Sequence, residues 1–408
     1  MTFGHPIATR AFWRRLTQRA LEAAATPFYV FSAEPIAGAL SELRAWGAGL
    51  PMPVRHWLSC KTQPIRPLLQ WWRKQGLGIE VVSEFELQAA LREGFLPTQI
   101  LVNGPAKHHW LPRHPVHGLW VNFDSPAELP TLIPLAKSLG WGVGVRVHTT
   151  EEFDPEEPSR PTQFGMMRAE AVAALKQLGR ADLRLETVHF HLRTNVAAPA
   201  IYERAVDEVA AICRAARFLP KYLDCGGGLP PPHVLDRQGQ RVDKQFDLAK
   251  LAVVYDRARR HFPGLEELWL ENGRFLSARS GALVARVLDV KARGRARHLI
   301  CDAGRTTQAL VSNWEAHELL TLPERTGSAC PTTVCGPTCM AFDQLARREL
   351  PRSLRVGDCL VWLEAGAYHI PWETRFSHGL AAVVWHENDH LAVVREREPF
   401  AAWWGQWK

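Results

Sequence analysis

Residues 54–83 read VRHWLSCKTQPIRPLLQWWRKQGLGIEVVS. An apolar run that ends in Lys61 is followed by a segment whose apolar residues recur three and four positions apart, and a second apolar run begins at Gly78. This alternation is typical of parallel sheets, because two parallel strands must be joined by a crossover that is usually a helix. The stretch therefore predicts a βαβ unit.

The same alternation continues along the chain to residue 274. The apolar runs are VRHWLSCK (54–61), GIEVVS (78–83), ILVNG (100–104), LWVNFD (119–124), WGVGVRVH (141–148), ETVHFHL (186–192), YLDCGGG (222–228) and ELWLENGR (267–274). The segments between them carry helical periodicity, as in EFELQAALREGF and AIYERAVDEVAAICRAARFL. We therefore predict an α/β fold, a (β/α)8 TIM barrel, over residues 36–278.

After residue 278 the pattern changes to strands without long helices. Examples are GALVARVLDVKA (281–292), RHLICDAG (297–304), DCLVWLEAG (358–366) and LAAVVWHENDHLAVVRER (380–397). We predict a C-terminal β domain, sandwich-like or barrel-like, over residues 279–408. The strand-like run TPFYVFS (26–32) precedes the barrel, so we expect the N-terminal segment 1–35 to join that β domain.

Composition excludes several classes of protein. The chain has 408 residues, 46% of them hydrophobic and 22% charged, which is ordinary for a soluble globular protein. The formal net charge is +7, but the cationic residues are scattered, so we expect no nucleic-acid partner and keep an anionic substrate or phosphate cofactor as the explanation. Eight cysteines without a CxxC pair and the absence of a long apolar run predict a cytoplasmic protein with reduced thiols and no membrane association.

Polar residues stand where the predicted barrel strands end, which is where TIM barrels assemble their active sites. Lys61 offers a nucleophile for an aldehyde, and Gly226–Gly228 let backbone N–H groups approach a phosphate together with Arg274. Glu271 offers a partner for a ring nitrogen. Each residue alone also fits a structural role, but together they predict pyridoxal phosphate (PLP) as cofactor.

These motifs occur in the order found in a known family. The matching segments are TPFYVF, SCKTQP, GLGIEVVSEFEL, VNGPAK, HFHLRTN, LDCGGGLP, ENGRFLSA, CDAG, CGPTCMAFD, LRVGDCLVWLEAGAY and RFSHG. The sequence resembles the PLP-dependent ornithine and diaminopimelate decarboxylases, which have the alanine-racemase-like barrel of fold type III. The loop motifs are most similar to those of decarboxylases of siderophore biosynthesis.

The resemblance implies a head-to-tail homodimer whose two active sites are shared between subunits. It implies that Lys61 carries PLP, that His191 stacks on the ring, and that Cys339 of one subunit returns a proton at the other subunit's cofactor. The residues it implies for cofactor binding are Lys61, His191, Thr194, Gly226, Gly227, Gly228, Glu271, Gly273, Arg274 and Tyr368.

Five positions depart from the family pattern or bear on the substrate and the subunit interface. Met340 stands where diamino-acid enzymes have an acid that binds the distal ammonium, and a thioether cannot make that charge-assisted bond. Gln163 replaces a lysine that pairs with an aspartate of the partner, here Asp343. Arg193 replaces a glycine and adds positive charge near the predicted barrel mouth, while Leu310 stands about where an arginine is expected.

These departures lead us to expect an α-decarboxylase for an amino acid whose far end is carboxylated or acylated, such as a siderophore or natural-product intermediate. Alternatives are decarboxylation of diaminopimelate, ornithine or lysine, racemisation, and a non-catalytic regulator of the same fold. The segment HENDH (386–390) matches a zinc motif, but that motif needs a helix. Its apolar flanks predict a β-hairpin instead, and we expect no metal.

Overall fold

A computed structural model describes residues 6–153 and 157–407, without the side chains of residues 311 and 312. The Pro-rich, acidic stretch EEFDPEEPSRPTQFG (151–165) is typical of a substrate loop after the fifth barrel strand, and its residues 154–156 lie outside the described residues. The chain forms two compact units. The barrel unit comprises Ala39–Pro230 and Asp243–Leu276, and the sheet unit comprises the chain up to Gly38, Pro231–Val242 and the chain from Ser277.

The described part of the chain contains twelve α-helices and nineteen strands. The helices are α1 (Ile7–Ala23), α2 (Ala33–Gly47), α3 (Arg66–Lys74), α4 (Glu84–Arg92), α5 (Leu129–Leu139), α6 (Arg168–Arg180), α7 (Pro199–Ala216), α8 (Leu248–His261), α9 (Gly273–Ser277), α10 (Ala309–Asn313), α11 (His369–Trp372) and α12 (Phe400–Gly405). The first ten strands are β1 (Phe28–Ser32), β2 (Val54–Ser59), β3 (Gly78–Val81), β4 (Ile100–Val102), β5 (Trp120–Phe123), β6 (Gly142–Arg146), β7 (Arg184–His189), β8 (Tyr222–Asp224), β9 (Leu235–Asp236) and β10 (Glu267–Leu270). The remaining strands are β11 (Gly281–Arg293), β12 (Ala296–Cys301), β13 (Glu315–Ala316), β14 (Leu319–Leu322), β15 (Ala329–Cys335), β16 (Gln344–Pro351), β17 (Cys359–Trp362), β18 (Ala382–Glu387) and β19 (His390–Arg395).

In the barrel unit, eight parallel strands close in the order β10-β2-β3-β4-β5-β6-β7-β8. Seven of these strands lie within the apolar runs, and β7 begins two residues before its run, so the predicted (β/α)8 barrel is confirmed. Large rings pack inside it: Trp57, Trp120 and Trp269 are buried together. Glycine makes room for them, since a Cβ on Gly78 would lie 2.3 Å from the Trp57 ring, closer than van der Waals contact permits.

The sheet unit is built on a mixed sheet with the strand order β16-β15-β12-β11-β1-β18-β19, and β17 also pairs with β11 and β14. Strand β1 pairs antiparallel with β11 and parallel with β18. This confirms that the N-terminal strand joins the C-terminal β domain. The core of this unit packs α1 against the sheet through buried residues that include Trp13, Phe28 and Val384.

Two segments bear on the sequence-based expectations. The HENDH segment is the turn between β18 and β19, with Asn388 and Asp389 at φ values of 50° and 62°, so the predicted hairpin is confirmed. The predicted domain limits treat 36–278 as one barrel segment, whereas residues 231–242 belong to the sheet unit, where β9 pairs with β13.

All eight cysteines are free. Among the described residues, no helix has the length and apolar character needed to cross a bilayer.

Candidate active site

Lys61 lies in a 3-10 turn that directly follows β2. The Thr62 hydroxyl donates a hydrogen bond to the Ser59 carbonyl at 2.7 Å, which closes the turn. The Lys61 amine lies 2.9 and 3.1 Å from the two carboxylate oxygens of Glu80, a buried residue of β3. Because 42% of the Lys61 side chain is exposed, the amine is held by a buried carboxylate and is still open to solvent.

The end of β10 packs against this turn. A Cβ on Gly273 would lie 2.4 Å from the Thr62 Cγ2 atom and 2.8 Å from the Ser59 Cβ atom. Only glycine permits this approach without displacing the turn. The glycine between Glu271 and Arg274 therefore brings the chain after β10 against the segment that carries Lys61.

A polar cluster occupies the barrel interior beside Glu271. The Asn103 amide donates to Glu271 Oε1 at 2.5 Å, and the Asn122 amide donates to Asn103 Oδ1 at 3.0 Å and to Asp224 Oδ2 at 3.2 Å. His189 Nε2 lies 3.6 Å from Glu271 Oε1, and neither ring nitrogen of His189 makes a hydrogen bond with the described residues. Ligand atoms of His189, Asp224 and Glu271 all lie within 4.8 Å of one another, so this cluster could also hold a metal ion.

Burial controls the protonation of this cluster. It raises the pKa of Asp224 to about 7, and it raises the pKa of Glu271 well above its usual value, with added repulsion from Asp224 and Glu80. Burial also lowers the pKa of His189 well below its usual value. Near neutral pH the cluster by itself therefore keeps a proton on at least one of its two carboxyl groups. A protonated ring nitrogen placed beside Glu271 would favour the ionised carboxylate of Glu271.

The glycine run after β8 forms a tight backbone cradle. Gly226 and Gly228 have φ values of 62° and 95°, which other residues adopt rarely. A Cβ on Gly227 would lie 2.4 Å from the Glu271 carbonyl oxygen. The Gly227 N–H donates to His191 Nδ1 at 3.1 Å, and burial lowers the pKa of His191 to about 3, so this ring is neutral.

Arg193 joins two loops at the end of the barrel. Its guanidinium donates to the Glu151 carbonyl at 2.7 Å and lies 4.2 Å from the Phe153 ring centre. Arg193, which we expected to add positive charge near the barrel mouth, therefore holds the loop after β6. Thr194 and Gln163 are exposed side chains of these same two loops.

Arg146, at the end of β6, is buried and lies among groups of the same loop. It donates to Glu152 Oε1 at 2.7 Å, its guanidinium lies 4.6 Å from the Phe164 ring centre, and its Nε atom makes no hydrogen bond with the described residues. Its charge lowers the pKa of His191, although burial contributes more. We therefore count Arg146 among the site residues.

The predicted residues Cys339, Met340, Asp343 and Tyr368 belong to the sheet unit. Cys339 is exposed, and the other seven cysteines are buried or partly buried, which disfavours an inert packing role. The buried carboxylate of Asp343 accepts from the Arg305 N–H at 2.7 Å and the Thr338 N–H at 3.1 Å. Asp343 thus shapes the loop that presents Cys339, and its pairing with the partner's Gln163 stays a prediction.

Several site residues were not singled out from the sequence. They are Glu80, His189, Asn122 and Asp224. Their shared signal is a polar side chain inside or at the end of a strand that is otherwise apolar, because inward-facing positions alternate along barrel strands. The sequence-based prediction considered mainly the residues at and beyond the strand ends, and it therefore missed these side chains.

The described residues fit the predicted cofactor. The glycine cradle leaves no space for side chains, Glu271 and His189 place buried polar atoms side by side, and an amine stands at the same end of the barrel. These features correspond to a phosphate, a ring nitrogen and an aldehyde.

Comparisons with known proteins agree with this fit. A family model described as the pyridoxal-binding domain of pyridoxal-dependent decarboxylases matches residues 39–278. The diaminopimelate decarboxylase of Deinococcus radiodurans is 28% identical over 400 residues, covering 96% of this chain and 98% of the relative. That of Actinosynnema pretiosum is 29% identical over 326 residues, covering 76% and 72%. The crystal structure of Helicobacter pylori diaminopimelate decarboxylase with L-lysine superposes with a TM-score of 0.81 at 23% identity, covering 96% of this chain and 98% of that one.

Proposed function

Since the chain belongs to the pyridoxal-dependent decarboxylases, and is therefore a PLP-dependent amino-acid decarboxylase, we propose that its substrate is an amino acid whose far end is carboxylated or acylated. A siderophore or natural-product intermediate would fit this description. The observation that carries the catalytic part is the placement of Lys61, Glu80 and the Glu271 cluster at one end of the barrel.

The family resemblance assigns the residues that would hold the cofactor, and the geometry described above supports Lys61, Glu271, His191 and the glycine run among them. Lys61 would bind its aldehyde, Glu271 would meet its ring nitrogen and His191 would face the ring. Its phosphate would lie among Thr194, Gly226, Gly227, Gly228, Gly273, Arg274 and Tyr368. When bound, PLP supplies an electron sink for the electrons that remain when carbon dioxide leaves.

The chain's own residues control charge and protons around this reaction. Glu80 receives the Lys61 ammonium whenever the lysine is free, so the amine stays within reach. The neutral His191 ring is fixed by the Gly227 N–H and adds no positive charge that would compete with the ring nitrogen. Cys339, exposed on its loop, would deliver a proton to the substrate's α-carbon in the partner subunit.

This role for Cys339 requires a homodimer with shared active sites. The same loop exposes Phe342, of which 59% is accessible to solvent in the single chain, as expected of a loop that contacts a partner. Eight free cysteines fit a reducing compartment, and we propose a cytoplasmic location.

The substrate proposal rests mainly on Met340. Its thioether cannot bind a free distal ammonium through a charge-assisted hydrogen bond, and Leu310 is a buried apolar residue about where an arginine is expected. A second candidate is diaminopimelate, favoured by the names of the curated relatives. It also carries a carboxylate at its far end, but an amine stands beside that carboxylate.

A carbon-dioxide release assay on the PLP-loaded enzyme tests the proposal. The panel contains L-ornithine, L-lysine, meso-diaminopimelate and an ornithine acylated by citrate. We expect the highest kcat/KM for the citryl conjugate, and Lys61→Ala should abolish release from every substrate. Robust turnover of ornithine or lysine would contradict the substrate proposal, and preferred turnover of diaminopimelate would select the second candidate.

A further inference from the structure

A cavity of about 640 Å³ lies within the sheet unit, beside the loop that carries Cys339. Strands β13 and β16 and the segment that contains β9 form its walls. Its charged and aromatic lining residues are Arg237, Arg305, Glu315, Phe342, Arg347 and Arg348. The cavity is as large as typical small-molecule sites, and its lining contains four arginines and one carboxylate.

Two arginines of this lining, Arg305 and Arg347, have side chains that are hydrogen-bonded to neutral side chains. Arg347 donates to the Gln344 side-chain oxygen at 2.9 and 3.2 Å. Arg305 donates to the Asn313 side chain, and its guanidinium lies 5.4 Å from the Phe342 ring centre. Within the described residues, no carboxylate lies within ion-pair distance of Arg305 or Arg347.

Two further charged residues of the lining, Glu315 and Arg348, have charged or titratable neighbours. The carboxylate of Glu315 lies 2.8 Å from His317 Nε2. Arg348 donates to the His317 carbonyl, burial lowers its pKa to about 10, and the charge of Glu318 acts in the opposite direction. An anion entering the cavity would therefore meet guanidinium groups, which bind carboxylates with two parallel hydrogen bonds.

We propose that this cavity binds the carboxylate groups at the far end of the substrate, with Arg305 and Arg347 as the principal ligands. The inference rests on the proposed function, because it assigns a subsite to the same reaction. Arg305 and Arg347, rather than Arg193, would then supply the positive charge for the substrate. Arg193 is bonded to the Glu151 carbonyl and packs on Phe153.

The reach of the substrate is consistent with this assignment. Ala341 and Phe342 line the cavity and follow Cys339 by two and three residues. Three residues span at most about 10 Å, so Cys339 lies within about that distance of the edge of the cavity at Phe342. A substrate with several bonds between its α-carbon and its far carboxylate could occupy both places.

The test compares the double variant Arg305→Gln/Arg347→Gln with Arg295→Gln in the PLP-loaded enzyme. Arg295 is an exposed residue between β11 and β12 that does not line the cavity, so its replacement controls for lost positive charge. With the citryl conjugate, the double variant should raise KM by at least about tenfold and change kcat by less than about threefold, as expected when a charge-assisted bond is lost. The spectrum of bound PLP should not change.

A second readout does not depend on turnover. Citrate is titrated calorimetrically into the PLP-loaded wild type and both variants at matched ionic strength. Citrate should bind the wild type and Arg295→Gln equally, and the double variant at least about tenfold more weakly. Equal citrate affinity in all three proteins, or an unchanged KM for the citryl conjugate, would overturn the inference. A wild type that binds citrate at the arginines but decarboxylates nothing in the panel would instead count against the proposed function alone.

Discussion

The Lys61 amine lies 2.9 Å from a carboxylate oxygen of Glu80 on the neighbouring barrel strand. The Glu80 side chain is only 1% exposed, whereas that of Lys61 is 42% exposed. The pair therefore joins a buried anion to a cation that water can reach. Removing the cation leaves a buried carboxylate without its main charged partner, which is costlier than losing an exposed ion pair.

A double-mutant cycle should reveal this coupling in the cofactor-free protein. Lys61→Ala should lower the free energy of unfolding by about 1 kcal/mol, a value between those of exposed and buried pairs because Lys61 is partly solvated. Glu80→Gln introduced into Lys61→Ala should recover much of that loss, since no charge then remains buried. Urea denaturation of the four proteins measures the cycle, and strictly additive effects would show that the pair is not coupled.

Glycine substitutions should act in opposite directions at two positions. Gly227→Ala places a Cβ 2.4 Å from the Glu271 carbonyl oxygen and should destabilise the protein by about 1–3 kcal/mol and weaken PLP binding. Gly179 lies in α6, and a Cβ added there would meet nothing within 4 Å, so Gly179→Ala should stabilise by about 0.5–1 kcal/mol. Thermal unfolding and PLP titration measure both. A Gly227→Ala protein with wild-type PLP affinity would refute the tight cradle.

The stability of the cofactor-free protein should depend on Asp224 between about pH 4 and pH 7. Burial raises the pKa of this carboxyl to about 7 in the folded protein from 3.8. Below both values it is protonated in the folded and unfolded states. Between them only the folded protein holds the proton, so this group makes the free energy of unfolding fall as pH rises.

Asp224→Asn should remove this contribution and keep an acceptor for the Gly226 N–H. The melting temperature of the variant relative to wild type should therefore increase from about pH 4.5 to about pH 7.5. Buried acids whose pKa Asp224 does not shift, such as Glu86, titrate in both proteins and cancel in the difference, whereas Glu271 contributes to it because Asp224 raises its pKa. A difference in melting temperature that is flat with pH would show that Asp224 does not have a raised pKa.

The barrel could be predicted because each of its strands is a short apolar run bounded by a polar end. Strands β15 and β16 were not predicted. The segment QLARRELP, which forms β16, is rich in residues that favour helices. It is a strand because it pairs with β15 and buries Leu345 and Leu350, which is a tertiary effect that local sequence does not contain.

Some residues of the candidate site could also be predicted from the sequence, and others could not. Lys61, Glu271 and the glycine run stand at strand ends and could be recognised from residue type and motif order. Glu80 could not, because one acid in the run GIEVVS has no visible partner until the barrel brings β2 beside β3. The role of Arg193 was also hidden, since its contact with Phe153 joins two loops that are distant in sequence.

Mixed subunits should test whether the active sites are shared. Lys61→Ala and Cys339→Ala proteins should each be nearly inactive alone. After random subunit exchange, half of the dimers are mixed and each has one intact shared site, so activity should recover to about a quarter of wild type. Exchange is verified by mass spectrometry of differently tagged subunits. No recovery despite proven exchange would place Cys339 in the active site of its own subunit, and an active Cys339→Ala protein would place it outside catalysis.

Met340→Glu should shift the enzyme toward free diamino acids. Met340 is partly buried next to the exposed Cys339, so a carboxylate at this position would lie beside the proposed proton donor. A charge-assisted hydrogen bond to a distal ammonium contributes about 1.5–3 kcal/mol, which corresponds to a gain of about tenfold to a hundredfold in kcat/KM for L-ornithine or L-lysine. The same variant should lose activity on the citryl conjugate, since the new carboxylate repels an anionic far end. Met340→Leu keeps the apolar surface and should change neither preference. If Met340→Glu left both specificities as in the wild type, position 340 would not face the substrate's far end, and Met340 would no longer support a substrate without a free distal ammonium.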